Sequence, residues 1–245
     1  MLQGRLLRAG PRPALPVMLR SQAAPRFRLL LPGLLAGLLG ACAFMPSNFF
    51  ATPRVLFDGR SLDEWRHLDG RDPEWRITPD GSLQVVPGTG DLVSRRQFGD
   101  HRIHLEFRVP EMPGASGQAK GNSGVYVQGR YEVQILDSYG MLPALDRCGA
   151  IYGIRAPSTN AARPAGVWQT FEITFRAPRF DAYGNVLENA RLTVVQNGVT
   201  IHENVELPRT TTASMSSRIV REGPLMLQDH GAPVEFRNIR VEDLD

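Results

Sequence analysis

Hydrophobic and polar positions alternate in several short stretches after residue 54, most clearly at 103–109, 131–136 and 171–175. A period of two places successive side chains on opposite faces of a β-strand, and the apolar set marks the buried face. Apolar spacing typical of an α-helix extends over no more than a turn or two. The pattern therefore predicts an almost entirely β protein, with less than about 10% helix outside the N-terminal segment.

Two pairs of these strands are predicted to form β-hairpins. In the first, residues 122–128 and 131–138 are joined by a tight connection at Gly129-Arg130. In the second, Asn197-Gly198 lies between two apolar runs, and Asn-Gly in that position is a strong hairpin signal. Both hairpins favour antiparallel pairing.

The number and spacing of the strands indicate the fold class. Many short strands separated by turn residues in roughly 190 residues favour a two-sheet antiparallel sandwich of the jelly-roll kind, with a barrel as the alternative. In the last strand, residues 234–241, the apolar positions change parity between Phe236 and Ile239. This change predicts a β-bulge near Arg237-Asn238.

The first hairpin also carries candidate chemistry. Glu132 and Gln134 lie on the same strand face, about 7 Å apart, because alternate residues of a strand share a face. A carboxylate beside a carboxamide on a rigid sheet suits gripping and deprotonating a polyhydroxylated ligand. An ordinary solvent-exposed sheet face, which also carries Glu and Gln, is the alternative.

The first 41 residues differ from the rest of the chain. They contain six arginines and no acidic residue, and an apolar run at 29–39 follows the basic part. This order is typical of a secretory signal peptide, and the run is too short to span a bilayer. Two start sites stay open, since a start at Met18 leaves a compact basic region and a start at Met1 an unusually long one.

The end of this segment, Leu39-Gly40-Ala41-Cys42, resembles a bacterial lipoprotein box in which the cysteine is acylated and becomes the new N-terminus. The sequence thus predicts a signal peptide at 1–41, a lipidated tether at 42–54 and a sandwich domain at 55–245. It also predicts export to the cell envelope and attachment to a membrane, favouring the outer one, by the lipid alone. A plain signal peptide cut nearby is the alternative.

Net charge and cysteine content bear on nucleic-acid binding and on disulfide bonds. Removal of residues 1–41 changes the formal charge from +3 to −3, so the basic character gives no reason to expect nucleic-acid binding. With Cys42 lipidated, Cys148 is the one remaining thiol and no intrachain disulfide is available. Stability then has to come from the core.

Several short motifs occur together in the order found in one enzyme family. They resemble the 3-keto-disaccharide hydrolase family, also described as 3-keto-alpha-glucoside 1,2-lyase/3-keto-2-hydroxy-glucal hydratase domains. The resemblance extends from about Val55 to Leu244 and implies a concanavalin A-like sandwich. The departures are Gln169, Cys148 and a variable loop at 208–222. The motifs are Leu56-Phe57-Asp58-Gly59 with Trp65, Asn122-Ser123-Gly124, Tyr131 to Ile135, Gly149 to Tyr152, Trp168, Leu192 to Gly198, Leu227 to Gly231 and Val234 to Ile239.

The resemblance implies a reaction at a sugar that carries a ketone at carbon 3. The ketone acidifies the hydrogen at carbon 2, so a general base removes that proton and the leaving group departs from carbon 1. We assign Glu132 as the base. Gln134 and Asn122 are expected to hold sugar hydroxyls or the ketone oxygen. His230 is expected to donate to the leaving oxygen or to orient a water, and the alternative is a histidine that only hydrogen-bonds the backbone of the Asp-His-Gly turn.

Four further residues are candidate substrate contacts, each with a simpler alternative. Tyr152 and Trp168 can stack on a sugar face, although aromatic residues of a sandwich more often belong to the core. Gln228 can bind a hydroxyl or only satisfy loop amides. Asp137 can bind substrate or cap a turn.

The sequence contains no spacing typical of a zinc site, and we predict no metal site, while a calcium ion held by loop oxygens stays open. No phosphate-binding glycine loop precedes a helix, so the sequence gives no sign of a nicotinamide or flavin site. The oxidation that produces the 3-keto sugar is therefore expected from a separate dehydrogenase. A non-catalytic carbohydrate-binding module of the same fold is the main alternative function. An ordinary retaining glucanase is disfavoured, because the face with Glu132 carries one carboxylate.

Lipidation at Cys42 is tested by Cys42→Ser. Without the thiol no acyl chain can be attached, so the protein should move from the membrane fraction to the soluble envelope fraction. Cell fractionation and mass spectrometry of the mature N-terminus measure this. Unchanged fractionation, or an N-terminus without lipid in the unsubstituted protein, contradicts the prediction.

Overall fold

A computed structural model describes residues 52–244, so the predicted signal peptide and Cys42 lie outside the described residues. Within this range the only helical element is a 3-10 turn, Gly117–Ala119, and no helix is long and apolar enough to cross a membrane. The strands are β1 Arg54–Phe57, β2 Trp65–His67, β3 Arg76–Ile77, β4 Leu83–Gln84, β5 Leu92–Phe98, β6 His101–Arg108, β7 Ser123–Val127, β8 Tyr131–Ile135, β9 Gln169–Arg176, β10 Arg179–Phe180, β11 Val186–Glu188, β12 Ala190–Gln196, β13 Val199–Leu207, β14 Gly223–Leu227 and β15 Glu235–Asp243.

The strands form two antiparallel sheets and one small ribbon. The larger sheet has eight strands in the order β13-β12-β9-β6-β15-β4-β3, with β1 also paired to β15. The smaller sheet has five strands in the order β2-β5-β14-β7-β8, and β10 pairs with β11. The sheets do not close into a barrel, so the predicted all-β sandwich is confirmed.

The core lies between the two sheets. On β6 and β9, buried residues alternate with more exposed ones, as the sequence pattern predicted. Phe107 and Phe171 meet there with ring centroids 4.6 Å apart. Strands β7, β8 and β14 are buried at every position instead, so this part of the five-stranded sheet is covered on its outer face as well, whereas β2 and β5 keep exposed positions.

The predicted turns and bulge are found with one adjustment. Asn197 and Gly198 have positive φ and join β12 to β13, and Asn238 has φ 52° at the predicted bulge in β15. The connection between β7 and β8 begins one residue earlier than predicted. Gln128, with φ 52°, belongs to the turn rather than to the strand, and its side-chain amide donates to the carbonyls of Phe98 and Arg221 at 3.0 Å each. These bonds offset the cost of positive φ at a non-glycine residue.

Candidate active site on the five-stranded sheet

A small cleft of about 90 Å³ opens on the outer face of the five-stranded sheet. Its floor comes from the hairpin of β7 and β8, and its walls come from three loops and the end of β14. Most of its lining is polar, with amide, hydroxyl and carboxyl groups. The lining residues are Gln118, Asn122, Tyr126, Glu132, Gln134, Tyr152, Thr212, Ala213, Gln228 and His230.

Glu132 is the one carboxylate in this lining, and its side chain is 3% exposed. It fits because its side chain extends over Gly124, the β7 residue paired with Gln134 and diagonal to Glu132. A Cβ atom at Gly124 would lie 2.6 Å from Glu132 Oε1 and 3.0 Å from Glu132 Cγ, closer than real Cβ contacts. The glycine thus leaves the space that the carboxyl group occupies.

Burial raises the pKa of Glu132 to about 7, from an ordinary value of 4.5. The cause is loss of hydration, which disfavours the charged form. A hydrogen bond with the Tyr126 hydroxyl acts against the shift, and the negative charge of nearby Asp91 adds to it. Glu132 therefore changes protonation near neutral pH, where a general base is most effective.

Side-chain amides surround this carboxyl group. The Gln134 amide nitrogen donates to Glu132 Oε1 and to the Ser123 carbonyl, both at 2.9 Å, because in the opposite orientation its oxygen would face only acceptors. The Asn122 amide donates to the backbone carbonyl of Gln118 at 2.9 Å and to its side-chain oxygen at 3.0 Å. The structure thus brings together three of the predicted residues, Glu132, Gln134 and Asn122.

Tyr126 lies directly across the hairpin from Glu132. Its hydroxyl accepts from the Gln228 amide at 3.1 Å, and its one proton can be donated either to the Thr212 carbonyl, 3.1 Å away, or to the Glu132 carboxylate. Burial, together with the neighbouring Glu132, raises the pKa of Tyr126, so the phenol keeps its proton. The side-chain oxygen of Gln228 is buried and has no hydrogen-bond partner among residues 52–244, which leaves it free to accept from a ligand.

His230 stands at the exposed rim of the cleft, after β14. The neighbouring Asp229 carboxylate accepts from the backbone amides of Gly88 at 2.7 Å and Gly90 at 3.0 Å. The Asp229 amide donates to Asp91 Oδ1 at 2.8 Å. Asp229 therefore ties the His230 segment to the loop before β5.

The remaining predicted residues are divided between the cleft and other places. Tyr152 lines the cleft and is half-buried. Trp168 does not line it, and its ring lies under the guanidinium groups of Arg108 at 4.6 Å and Arg237 at 4.1 Å. Asp137 is paired with Lys120 at 2.9 Å and also lies outside the lining.

Sequence reasoning missed Gln118, Tyr126, Thr212, Ala213 and the neighbour Asp91. Tyr126 could have been predicted from the sequence, because a hairpin centred on Gly129 pairs Tyr126 with Glu132. Gln118, Thr212 and Ala213 come from loops, and Asp91 from the start of another strand, so no local spacing connects them to the hairpin.

Neither thiol chemistry at Cys148 nor a metal site is indicated in the described part of the chain. Cys148 is buried, and burial raises the pKa of its thiol to about 11, so it stays protonated. Residues 52–244 contain no group of three or more His, Cys, Asp or Glu side chains arranged to hold a metal ion.

The sequence pattern of the 3-keto-alpha-glucoside-1,2-lyase-like domain matches residues 52–242, which is most of the chain. The chain belongs to this family. The family and its relatives indicate a carbohydrate-related function for this domain. The predicted resemblance is confirmed, and the lining of the cleft with Glu132 includes residues from four of the motifs that carried it.

Solved structures from Parabacteroides distasonis ATCC 8503 share the fold. One, described as a candidate glycosyl hydrolase, is 34% identical, with a TM-score of 0.73 over 79% of this chain and 84% of that chain. Two others with the same description are 19% and 20% identical, with TM-scores of 0.60 and 0.55 over 79% of this chain and 94% and 100% of theirs. At that identity the latter two show the fold alone. A comparison with curated protein sequences found no match.

The raised pKa of Glu132 predicts a pH-dependent effect of Glu132→Gln on stability. The folded protein holds a proton that the unfolded chain releases above pH 4.5, so Glu132 costs stability as the pH rises from about 4.5 to about 7. The variant should therefore gain stability over the parent across this window, by up to about 3 kcal/mol above pH 7. Urea unfolding at several pH values measures the difference.

Glu188→Gln on exposed β11 is the matched control and should show a difference that stays near zero at every pH. A constant difference between Glu132→Gln and the parent from pH 4 to pH 8 contradicts the assigned titration.

Proposed function

We propose that this domain cleaves 3-keto-glycosides in the cell envelope, by elimination across carbons 1 and 2, with or without later addition of water. The observation that carries the proposal is the buried Glu132 carboxyl, whose pKa of about 7 makes it a base near neutral pH. It stands in a cleft lined by amides and hydroxyls, which suit a sugar.

The elimination proceeds through two bond changes at the sugar. Glu132 takes the proton from carbon 2, and the electron pair of that bond moves toward the ketone to form an enolate. The pair then returns to form a double bond between carbons 1 and 2, and the bond from carbon 1 to the leaving oxygen breaks. The leaving oxygen takes a proton, for which His230 at the rim is the assigned donor.

The enolate requires hydrogen-bond donors near its oxygen. Tyr126, whose raised pKa keeps the phenol protonated, is the assigned donor, and its O–H turns from the Thr212 carbonyl to the enolate oxygen. The amides of Asn122 and Gln118 also line the cleft, but they donate to Gln118 and Asp146. The free oxygen of Gln228 and the ring of Tyr152 are the assigned contacts to sugar hydroxyls and to the sugar face.

The single carboxylate separates this proposal from ordinary glycoside hydrolysis, which uses two flanking carboxyl groups. Asp91 is the nearby second carboxyl, but it does not line the cleft and its Oδ1 accepts from the Asp229 amide. A non-catalytic carbohydrate-binding module is the second candidate, and the amide-rich lining favours it equally. Such a module has no use for a buried carboxyl that titrates near pH 7.

The proposal includes the cellular setting expected from the sequence. A lipid-anchored enzyme of the envelope meets glycosides outside the cytoplasm. The elimination requires a ketone at carbon 3 but does not itself oxidise the sugar, so a separate dehydrogenase has to supply the 3-keto group.

Glu132→Gln tests the base directly. The substitution keeps the shape and polarity but removes proton acceptance, so turnover of a 3-keto-glucoside should fall by about 10² to 10⁴ fold. Gln228→Ala removes one hydrogen bond to the sugar and should cost less than about tenfold. Turnover within threefold of the parent in Glu132→Gln, or a product that by NMR retains the original hydrogen at carbon 2, contradicts the assignment and favours the binding module.

Gly124→Ala tests the placement of the same carboxyl. The added methyl group would displace the Glu132 side chain, and a shift of about 1 Å at a reacting group can cost about 100-fold in rate. Gly114→Ala is the control, because its Cβ would meet nothing within 4 Å. Equal rates in the two variants, both folded by circular dichroism, contradict the role given to Gly124.

A further inference from the structure

Four large apolar side chains are exposed within seven residues of the segment between β8 and β9. The exposed fraction is 58% for Tyr139, 42% for Met141, 86% for Leu142 and 49% for Leu145. Single exposed apolar residues are ordinary on a soluble protein, but a contiguous group marks a contact surface. We call residues 138–146 the apolar loop.

The apolar loop is held in one conformation by hydrogen bonds to its backbone. The Asn160 amide donates to the Ser138 carbonyl at 2.8 Å and to the Met141 carbonyl at 2.7 Å, and the Met141 amide donates to the Ser138 carbonyl at 3.1 Å. The apolar side chains therefore stand on a preformed support, which lowers the entropic cost of binding a ligand.

The same loop forms hydrogen bonds with two walls of the cleft. The Gln118 side-chain amide donates to the Asp146 carbonyl at 3.0 Å, and the Gly153 amide donates to the Leu145 carbonyl at 3.0 Å. Gln118 lines the cleft, and so does Tyr152, which precedes Gly153. The apolar loop therefore adjoins two walls of the cleft.

The cleft is too small to enclose a whole glycoside. Its volume of about 90 Å³ is well below the roughly 300–1,000 Å³ of pockets that enclose drug-sized ligands. A sugar ring bound over Glu132 therefore leaves the substituent at carbon 1 outside the cleft, and the rim has to meet it.

The charge of the apolar loop limits what it can bind. Residues 138–146 contain no lysine or arginine and one acidic residue, Asp146, and the next residue, Arg147, is paired with Asp146 at 3.7 Å, so the segment carries no unpaired charge. Surfaces that dock on anionic lipid combine apolar residues with cationic ones, and an anionic leaving group would also require a cation. An uncharged apolar ligand fits this surface best.

We propose that the apolar loop binds the leaving group of the substrate, so that the preferred substrates are 3-keto-glycosides of apolar alcohols or phenols. This inference rests on the proposed function, because it assigns the leaving group of that same reaction. Leu142 and Leu145 provide the contact, and Gln118 and Tyr152 connect it to the sugar site.

The test uses 3-keto-glucosides of phenol, 4-ethylphenol and 4-butylphenol. Para-alkyl groups extend the apolar surface while changing the acidity of the phenol little, so differences report contact and not leaving-group reactivity. KM should fall about tenfold from phenyl to butylphenyl, the gain expected when roughly half of a butyl group leaves water, while kcat stays within threefold.

The double variant Leu142→Ser with Leu145→Ser should lose this gradient, so that the three compounds have KM values within about twofold of one another. Leu187→Ser is the matched control, since Leu187 is 67% exposed on β11, outside the lining of the cleft, and should keep the gradient. Binding of the same compounds to Glu132→Gln protein by calorimetry should show the same tenfold gradient without turnover.

A flat gradient in the parent, or a gradient that survives the double variant, overturns the inference. Sedimentation of Cys42→Ser protein with phosphatidylglycerol vesicles tests the membrane alternative, and vesicle binding that the double variant abolishes while the gradient remains would favour it. A gradient in the calorimetry, together with no turnover of any 3-keto-glucoside by the parent protein, would refute the proposed reaction and retain the apolar subsite.

Discussion

The burial of the β7–β8 hairpin on both faces is the constraint on which the candidate site depends. Its inner face carries Val125, Val133 and other apolar residues into the core, and its outer face carries Tyr126 and Glu132. A carboxyl group is costly to bury, so the outer face has to supply hydrogen bonds. The Gln134 amide and the Tyr126 hydroxyl partly compensate for the lost hydration of Glu132, and the remaining cost appears as its raised pKa.

Loops complete this burial at the free edge of β8. Gln134 exchanges backbone hydrogen bonds with Gly149 and Ala150, and the Glu132 amide donates to the Thr211 hydroxyl at 3.0 Å. An open edge would expose these groups to water and to other strands. The segments that cover the edge also form the cleft walls, since Tyr152 and Thr212 follow directly. Fold stability and site formation therefore use the same contacts.

The sequence predicted what depends on local periodicity. Alternation, Asn197-Gly198 and the parity change before Ile239 each act over a few residues, and the strands, hairpin and bulge follow from them. The shared face of Glu132 and Gln134 was predictable for the same reason. The positive φ of Gln128 was not, because it relies on carbonyls of Phe98 and Arg221, about 30 and 93 residues away.

The positions of the three tryptophans have a practical consequence for spectroscopy. Trp65 and Trp75 are buried in the core, and Trp168 is stacked with two arginines, so none lines the cleft. Tryptophan emission will therefore follow unfolding of the sandwich and stay nearly constant when a sugar binds. The two tyrosines of the cleft are the native chromophores in contact with a ligand, and difference absorbance of the phenol bands is the optical signal to follow.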